Sequence, residues 1–237
     1  MLNYPYLWDF ALGQRERFLA RKPFPFIVMD NFLSPDLLEA ACEAFPPPDT
    51  DFWHRTDNKQ TNNKLTPDGF GGTQMLKEIR FPDAARFVFA ELNSGLFLWF
   101  LFKLTGSELL MSDPYFIEGG YHCVGNEGRL GIHADFSHHP YYKTERRVNL
   151  LLYLNPTWKE EWGGALKLYD EKLRPTPPIW PLMNRAVIFL TSATSYHGHP
   201  EPMALPEGVW RKSIALYFYT PPRAEREHKV AVFPVAA

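Results

Sequence analysis

The pattern of apolar and polar positions changes character near the middle of the chain. The first part mixes helix and strand signals. Residues 24–33 (FPFIVMDNFL) predict a strand, and Ser34 and Pro35 then provide an N-cap and a first-turn proline for a short helix. Pro82 opens a second, strongly apolar helix, which we expect to continue to about Thr105.

From residue 112 onward, short apolar runs alternate with turn residues. Runs such as 146–155 (RRVNLLLYLN), 185–192 (RAVIFLTS) and 212–220 (KSIALYFYT) have the length and regular spacing of strands. No helical pattern alternates with them, which disfavours a parallel α/β fold. The sequence therefore predicts a mainly β (α+β) fold, a double-stranded β-helix (jelly roll) barrel buttressed by N-terminal helices.

Residues 51–72 form a polar, turn-rich stretch without periodicity, which we interpret as a long loop that could act as a lid. The sequence contains no repeat, low-complexity tract or Gly/Ser linker. We therefore expect a single domain over residues 1–237. Its parts would be a helical and mixed support at 1–110, a jelly-roll core at 111–222 and a C-terminal tail at 223–237.

The composition suits a folded globule, since 45% of the 237 residues are hydrophobic and 16% are aromatic. The net charge of -2 provides no basic surface for nucleic acid or an anionic membrane. The N-terminus lacks the pattern of a signal peptide, and Cys42 and Cys123 are too few for a disulfide framework. We expect a cytoplasmic protein with a small-molecule substrate and neither a nucleic-acid nor a membrane partner.

The apolar segment 87–104 contains Glu91, Asn93, Ser94 and Lys103, whereas a membrane-spanning helix needs about 20 nearly uncharged residues. We interpret it as a buried helix. It could pack on its own barrel or on a second subunit, which leaves a homodimer open.

Candidate chemistry begins at residues 131–139 (GIHADFSHH), which hold three of the chain's eight histidines. His133 and Asp135 are two positions apart on a predicted strand, so their side chains point the same way about 6.6 Å apart. This spacing permits a shared metal ion. The same spacing also occurs in hydrogen-bonded structural pairs.

Two further segments add groups of the same kind. His197 and His199 follow a stretch of small and hydroxylic residues, and two histidines with one carboxylate are typical of non-heme Fe(II) oxygenases. Both lie on one strand face, so the spacing alone does not choose between them. Arg211 and Ser213 share a face of a later strand and could clamp a carboxylate. Taken singly, each could instead be a strand-end histidine or an exposed edge arginine.

In their order, the segments HAD, RRVNLLLYLN, WGGALKLYD, SYHGH and WRKS resemble the 2-oxoglutarate and Fe(II)-dependent oxygenases, and most closely the prolyl 4-hydroxylase-like branch. The resemblance covers roughly residues 115–220. It implies an enzyme that uses Fe(II), 2-oxoglutarate and O2 to hydroxylate an unactivated C–H bond, with release of succinate and CO2. Asp135 argues against the halogenating relatives, which carry a small residue there. Desaturation and ring closure stay open as outcomes.

The resemblance also implies roles for single residues. His133, Asp135 and His197 match the catalytic iron ligands, and His197 is preferred to His199 because it follows the small, hydroxylic stretch. Cys123 stands where these enzymes often carry a tyrosine that contacts the cosubstrate, and Tyr121 is the nearest tyrosine on the same strand face. The expected cosubstrate-binding residues are Arg211, Ser213, Tyr153, Leu166 and Tyr121.

The substrate is expected to be a small molecule or an amino-acid-like compound. Candidate residues at the mouth of the site are His138, His139, Asn149 and Trp162. The aromatic side chains nearby could equally be ordinary packing residues.

Two other functions stay open at this point. A zinc-dependent hydrolase could use His133 and Asp135 with either His138 or His139, and it would not need Arg211. A non-catalytic jelly-roll binding module could hold a structural ion and would form no succinate.

Overall fold

The computed structural model describes residues 1–67, 80–222 and 232–234. Within those residues four α-helices lie in the first half of the chain. They are α1 (Tyr4–Ala20), α2 (Pro35–Glu43), α3 (Asp83–Leu92) and α4 (Gly95–Thr105).

Nine strands among the described residues form one curled antiparallel sheet. They are β1 (Phe26–Met29), β2 (Trp53–Thr56), β3 (Thr61–Pro67), β4 (Gly120–His133), β5 (Glu145–Tyr153), β6 (Lys167–Tyr169), β7 (Arg185–Leu190), β8 (Tyr196–His199) and β9 (Arg211–Thr220). The main order is β1-β7-β5-β9-β4-β3-β2, and β8 pairs with the far end of β4 and with β6. This half-barrel with helices against it confirms the predicted jelly-roll fold.

The two faces of the main sheet have different partners. The outer face carries apolar residues such as Leu150, Leu216 and Phe218, which join one hydrophobic core with the helices. Phe218 contacts Phe97 of α4 with ring centroids 5.8 Å apart. Because side chains alternate along a strand, the residues between these point to the inner face, where the sheet curls around a cavity.

The expected single apolar helix from Pro82 to Thr105 is instead two helices. The amide of Asn93 donates to the carbonyl of Phe89 at the end of α3, and Ser94 Oγ accepts from the backbone N–H of Phe97 at the start of α4. Side-chain caps of this kind satisfy the free backbone groups at helix ends and so favour a break. The two helices meet at an angle of 41°.

No single helix in the described part of the chain is long and apolar enough to cross a membrane, and only the bent pair α3 and α4 qualifies by length and composition. In this structure α4 buries Phe97, Phe100, Leu101 and Leu104.

The loop expected at residues 51–72 is also partly wrong. Residues 53–67 form the hairpin of β2 and β3, and β3 pairs with β4. Asn58 closes the turn by accepting the backbone N–H groups of Gln60 and Thr61 through its side-chain oxygen. Residues 68–72 lie outside the described residues. Strands β1, β2 and β3 thus join the sheet from the segment expected to be only a support, and the domain division stays a prediction.

Candidate active site

The inner face of the sheet lines a cavity of about 450 Å³. Its wall is built from alternate positions of the main-sheet strands, with β8 and the end of β4 opposite. Such a volume lies in the range of small-ligand sites, roughly 300–1,000 Å³.

Three ligand groups meet at one end of the cavity. His133 lies at the end of β4 and is paired directly with His197 on β8, which places the ring centroids 4.4 Å apart. Nε2 of His133 is 3.5 Å from Asp135 Oδ1, and Nε2 of His197 is 3.5 Å from Asp135 Oδ2. Among the described residues this is the one group of three or more potential ligands whose atoms all lie within 4.8 Å of one another.

The other ring nitrogens of both histidines are already used. Nδ1–H of His133 donates to the carbonyl of Gly131 at 2.9 Å, and Nδ1–H of His197 donates to that of Ser195 at 3.0 Å. These bonds leave both Nε2 lone pairs facing the aspartate, the arrangement a metal ion requires. Burial lowers the pKa of His197 to about 4, which keeps its imidazole neutral at neutral pH. The donor set fits a divalent iron.

The carboxylate of Asp135 is held by two side chains of β5. Arg146 Nη2 lies 3.1 Å from Oδ2, and the amide of Asn149 donates to the same oxygen at 2.7 Å. Arg146 also donates to Asn149 Oδ1 and stacks on the ring of Tyr217 at 3.3 Å. Burial alone would raise the pKa of Asp135, but the charge of Arg146 holds it well below its ordinary value.

A β-bulge explains how Arg146 reaches the inner face. Strict alternation would place it on the outer face with Leu150. The register between β5 and β9 shifts between Arg146 and Val148, so Arg146 opposes Tyr219 while Asn149 opposes Tyr217. The extra residue on β5 turns the arginine inward.

Gly198 allows the two ligand-bearing strands to approach. A Cβ atom at this position would lie 2.7 Å from the carbonyl oxygen of Gly131 and 2.8 Å from that of Leu130. Those contacts are with backbone and cannot be relieved by a rotamer change. A side chain at residue 198 would therefore push β8 away from β4.

Arg211 marks another part of the cavity. It is 5% exposed, its Nε donates to the carbonyl of Gly164 at 2.8 Å, and its Nη2 donates to the hydroxyl of Tyr153 at 3.2 Å. Ser213 and Leu166 line the cavity as well. No carboxylate among the described residues forms an ion pair with Arg211, so this pocket can take the carboxylate of a ligand.

His199 lies beyond the metal-binding group. It is buried, its Nδ1 has no hydrogen-bond partner in the described part of the structure, and it lines the cavity. Burial and then the charge of Arg211 lower its pKa well below the ordinary value. The geometry thus brings His197, not His199, to Asp135.

The remaining predicted residues are divided between the cavity and other places. His138 lines the cavity, and Asn149 lines it while bonded to Asp135. Three others do not line it, which corrects the expectation for them: Nε2 of His139 is 3.2 Å from the buried Asp113, Trp162 packs with Trp158 and Met203, and Tyr121 packs in the helix-facing core.

Several cavity residues were not predicted from the sequence, among them Arg146, Lys64 and Phe233. Arg146 was expected to begin a strand and was given no role in the site, and Lys64 lay in the stretch interpreted as a loop. Phe233 stacks on the ring of His133 with centroids 5.4 Å apart, held there by paired backbone bonds between Ala134 and Val232. The isolated aromatic in the C-terminal tail gave no periodic signal to find it by.

Comparisons with known proteins show which proteins this chain resembles. Residues 119–219 match the model of the 2OG-Fe(II) oxygenase superfamily. The chain is similar to Prolyl 3-hydroxylase OGFOD1 of Mus musculus, with 40% identity over 81 residues, but the match spans only 14% of that protein's length.

Two solved structures share the fold. One is a prolyl hydroxylase from Trichoplax adhaerens in complex with a hypoxia inducible factor peptide fragment, with 17% identity and a TM-score of 0.54 over 91% of this chain and 90% of that one. The other is a Pseudomonas putida prolyl-4-hydroxylase, with 16% identity and a TM-score of 0.52 over 89% of this chain and 98% of that one.

Proposed function

We propose that the chain, whose residues 119–219 match the model of the 2OG-Fe(II) oxygenase superfamily, is a dioxygenase that hydroxylates an unactivated C–H bond of a small or amino-acid-like substrate. The proposal uses the cofactors of this family, which are Fe(II), 2-oxoglutarate and O2. In the overall reaction 2-oxoglutarate is oxidatively decarboxylated to succinate and CO2 while the substrate C–H bond becomes C–OH.

One observation supports this proposal above the others: the same cavity contains a His-Asp-His group at one place and, at another, an arginine that has no carboxylate partner among the described residues. A zinc hydrolase has no use for Arg211. It would also need His138 or His139 beside Asp135, whereas His139 is bonded to Asp113. A non-catalytic ion site has no need of the carboxylate pocket either.

The residues of the chain have separable tasks in this proposal. His133, Asp135 and His197 would hold the metal on one side and leave its other positions open. Arg146 and Asn149 hold the carboxylate of Asp135 in a fixed orientation, so that it does not have to be reoriented when the metal binds. Arg211 and the hydroxyl of Tyr153 would hold the far carboxylate of 2-oxoglutarate, and Leu166 would pack against its chain.

The substrate class is proposed from size and similarity. The cavity must also hold the cosubstrate, so its 450 Å³ leave room for only a small group. The relatives' names point to proline, and a proline ring is therefore the first candidate for the oxidised group.

The test is succinate formation from 2-oxoglutarate by the purified chain with Fe(II) in air. We expect turnover that Asp135→Ala abolishes, because two histidines alone bind the metal weakly and without the facial arrangement. His54→Ala, at an exposed histidine of β2, is the matched control and should retain turnover. Absence of succinate from the unaltered protein would refute the proposal.

A further inference from the structure

Lys64 is a charged cavity residue for which the proposed chemistry has no task. It lies on β3 directly opposite Val124 of β4, and Val124 lies opposite Arg211 of β9. Lys64 and Arg211 therefore share one row on the inner face, two strand spacings or about 9.6 Å apart along the sheet. Because their backbones are this far apart, the two side chains can bind different anions.

The ammonium group of Lys64 has no ion pair and no hydrogen bond among the described residues. Burial lowers the pKa of Lys64, and the charges of Arg146 and Arg211 lower it further, against the opposing effects of Glu118 and Asp135. A cation taken partly out of water without a partner is costly. A ligand anion at this position would remove that cost.

The other cations that line the cavity already have partners or a task. Arg146 is bonded to Asp135 and Asn149. Arg211 is bonded to Gly164 and Tyr153 and is reserved for the cosubstrate. Of the described lysine and arginine side chains in the wall, Lys64 alone remains for a second anion.

Glu118 provides the opposite charge. It lines the same cavity, and it is exposed at the rim while Asp135 is committed to the metal-binding group. Its backbone is fixed, because the ring of His122 and the hydroxyl of Tyr217 both donate to its carbonyl at 2.9 and 3.1 Å. The charge of Glu118 raises the pKa of Lys64, so the two side chains attract each other. They form no ion pair within the described residues, and a ligand can therefore lie between them.

We propose that the substrate is a free amino acid, whose α-carboxylate binds Lys64 and whose ammonium group binds Glu118. The inference rests on the proposed oxygenase function and narrows its substrate class. A residue inside a peptide has neither charge at its backbone. It would leave Lys64 and Glu118 unmatched in a partly dry cavity, so a peptide substrate is the alternative that the test must exclude.

The test compares free amino acids with analogues that lack one charge. L-proline and the other free proteinogenic L-amino acids are each paired with the carboxamide and with the N-acetyl derivative. One readout is stimulation of succinate release by the Fe(II) enzyme. The second is binding measured calorimetrically with Mn(II) and 2-oxoglutarate in the absence of oxygen, which needs no turnover.

At least one free amino acid should stimulate and bind, and its carboxamide should bind about tenfold or more weakly because a charge-assisted hydrogen bond is lost. Lys64→Met should weaken binding of the acid by a similar factor and abolish the difference between acid and amide. This loss of affinity should be larger than any change in the KM for 2-oxoglutarate. Lys64→Arg should restore most of the binding. Glu118→Gln should abolish the difference between the free and the N-acetylated amine.

Lys59→Met is the matched control, because Lys59 is exposed on the turn just before β3. It should leave both readouts unchanged. Equal binding of acid and amide, stimulation by a peptide but by no free amino acid, or a Lys64→Met effect confined to the KM for 2-oxoglutarate would each overturn the inference. If succinate forms without substrate and no free amino acid raises it, the inference fails while the proposed function stands.

Discussion

The two faces of the main sheet use the same strands for opposite purposes. On β5, Leu150 and Leu152 point outward into the helix-packed core, while Asn149, Leu151 and Tyr153 point into the cavity. The outer face is mainly apolar and packs against the helices. The inner face holds charged and polar groups whose partners are few and specific.

Residues that stabilise the fold and residues that contact ligands therefore alternate along each strand. Burial of apolar area on the outer face is what stabilises the barrel. On the inner face, ion pairs and hydrogen bonds offset the cost of burying charge, while Lys64, Glu118 and Arg211 form no ion pair within the described residues and can meet ligands. Substitutions of neighbouring residues on one strand should therefore affect different properties, stability on the outer face and ligand binding or turnover on the inner face.

The largest expected effect is at Arg211. Arg211→Met should reduce 2-oxoglutarate turnover roughly a thousandfold, because the cosubstrate carboxylate would be buried without a charged partner. The neighbour Lys212 points to the other face, over the ring of Phe45 at 5.0 Å. Lys212→Met should keep turnover within about twofold, and steady-state kinetics on both variants measure the contrast. Similar losses in the two variants would contradict the division between faces.

The next effect is on stability. Leu150→Ala should lower the free energy of unfolding by about 3 kcal/mol, because it leaves a cavity in a core where Leu150 is 0% exposed. Leu151 faces the ligand cavity and is only half-buried, so Leu151→Ala should cost less than half as much. Urea unfolding of the two variants gives the comparison. A larger cost at Leu151 would show that the inner wall, too, carries the fold.

A smaller effect is expected at the bulge. Arg146→Met removes the guanidinium that holds Asp135, and the metal affinity should fall by about 10- to 100-fold. Arg147 is the extra residue of the bulge, between Arg146 and Val148, and donates instead to Ser107 Oγ at 3.1 Å. Arg147→Met should leave the affinity within a factor of about two in a Co(II) titration. An unchanged affinity in the Arg146 variant would mean that Asn149 alone orients the carboxylate.

The smallest expected effect is on stability, at an exposed ion pair away from the cavity and the core. Arg185 forms a two-point ion pair with Asp30, at 2.6 and 2.9 Å, where the aspartate is 57% exposed. The hydrogen bonds from Arg185 lower the pKa of Asp30. The pair therefore stabilises the fold above the ordinary aspartate pKa of 3.8 and loses this contribution as the pH falls through the folded-state value.

Asp30→Asn should consequently cost less than about 1 kcal/mol at pH 7, because exposed pairs are screened by water. The difference from the unaltered protein should shrink at pH 3. Chemical unfolding at the two pH values checks this, and a difference that grows toward low pH would contradict the assigned sign.

The sequence predicted much of the jelly roll and the grouping of His133, Asp135 and His197 because these depend on alternation and on the order of short segments. It did not predict the role of Arg146, since a bulge breaks the alternation on which the prediction depends. Lys64 was missed because β3 has no apolar stripe and is defined by pairing with β4. Tyr121 was assigned to the cavity by analogy, while the pairing of β4 turns it toward the helices.

The backbone contact at Gly198 restricts where this site can change. At residue 198 there is no room between β8 and the end of β4 for even one additional methyl group, so a substitution there would move the strands that carry His133 and His197. Variation is easier on the opposite side, where β3 contributes the long side chain of Lys64, which has no ion pair or hydrogen bond within the described part of the chain. Redesign of the enzyme for a different substrate should therefore begin at residue 64 and leave residue 198 untouched.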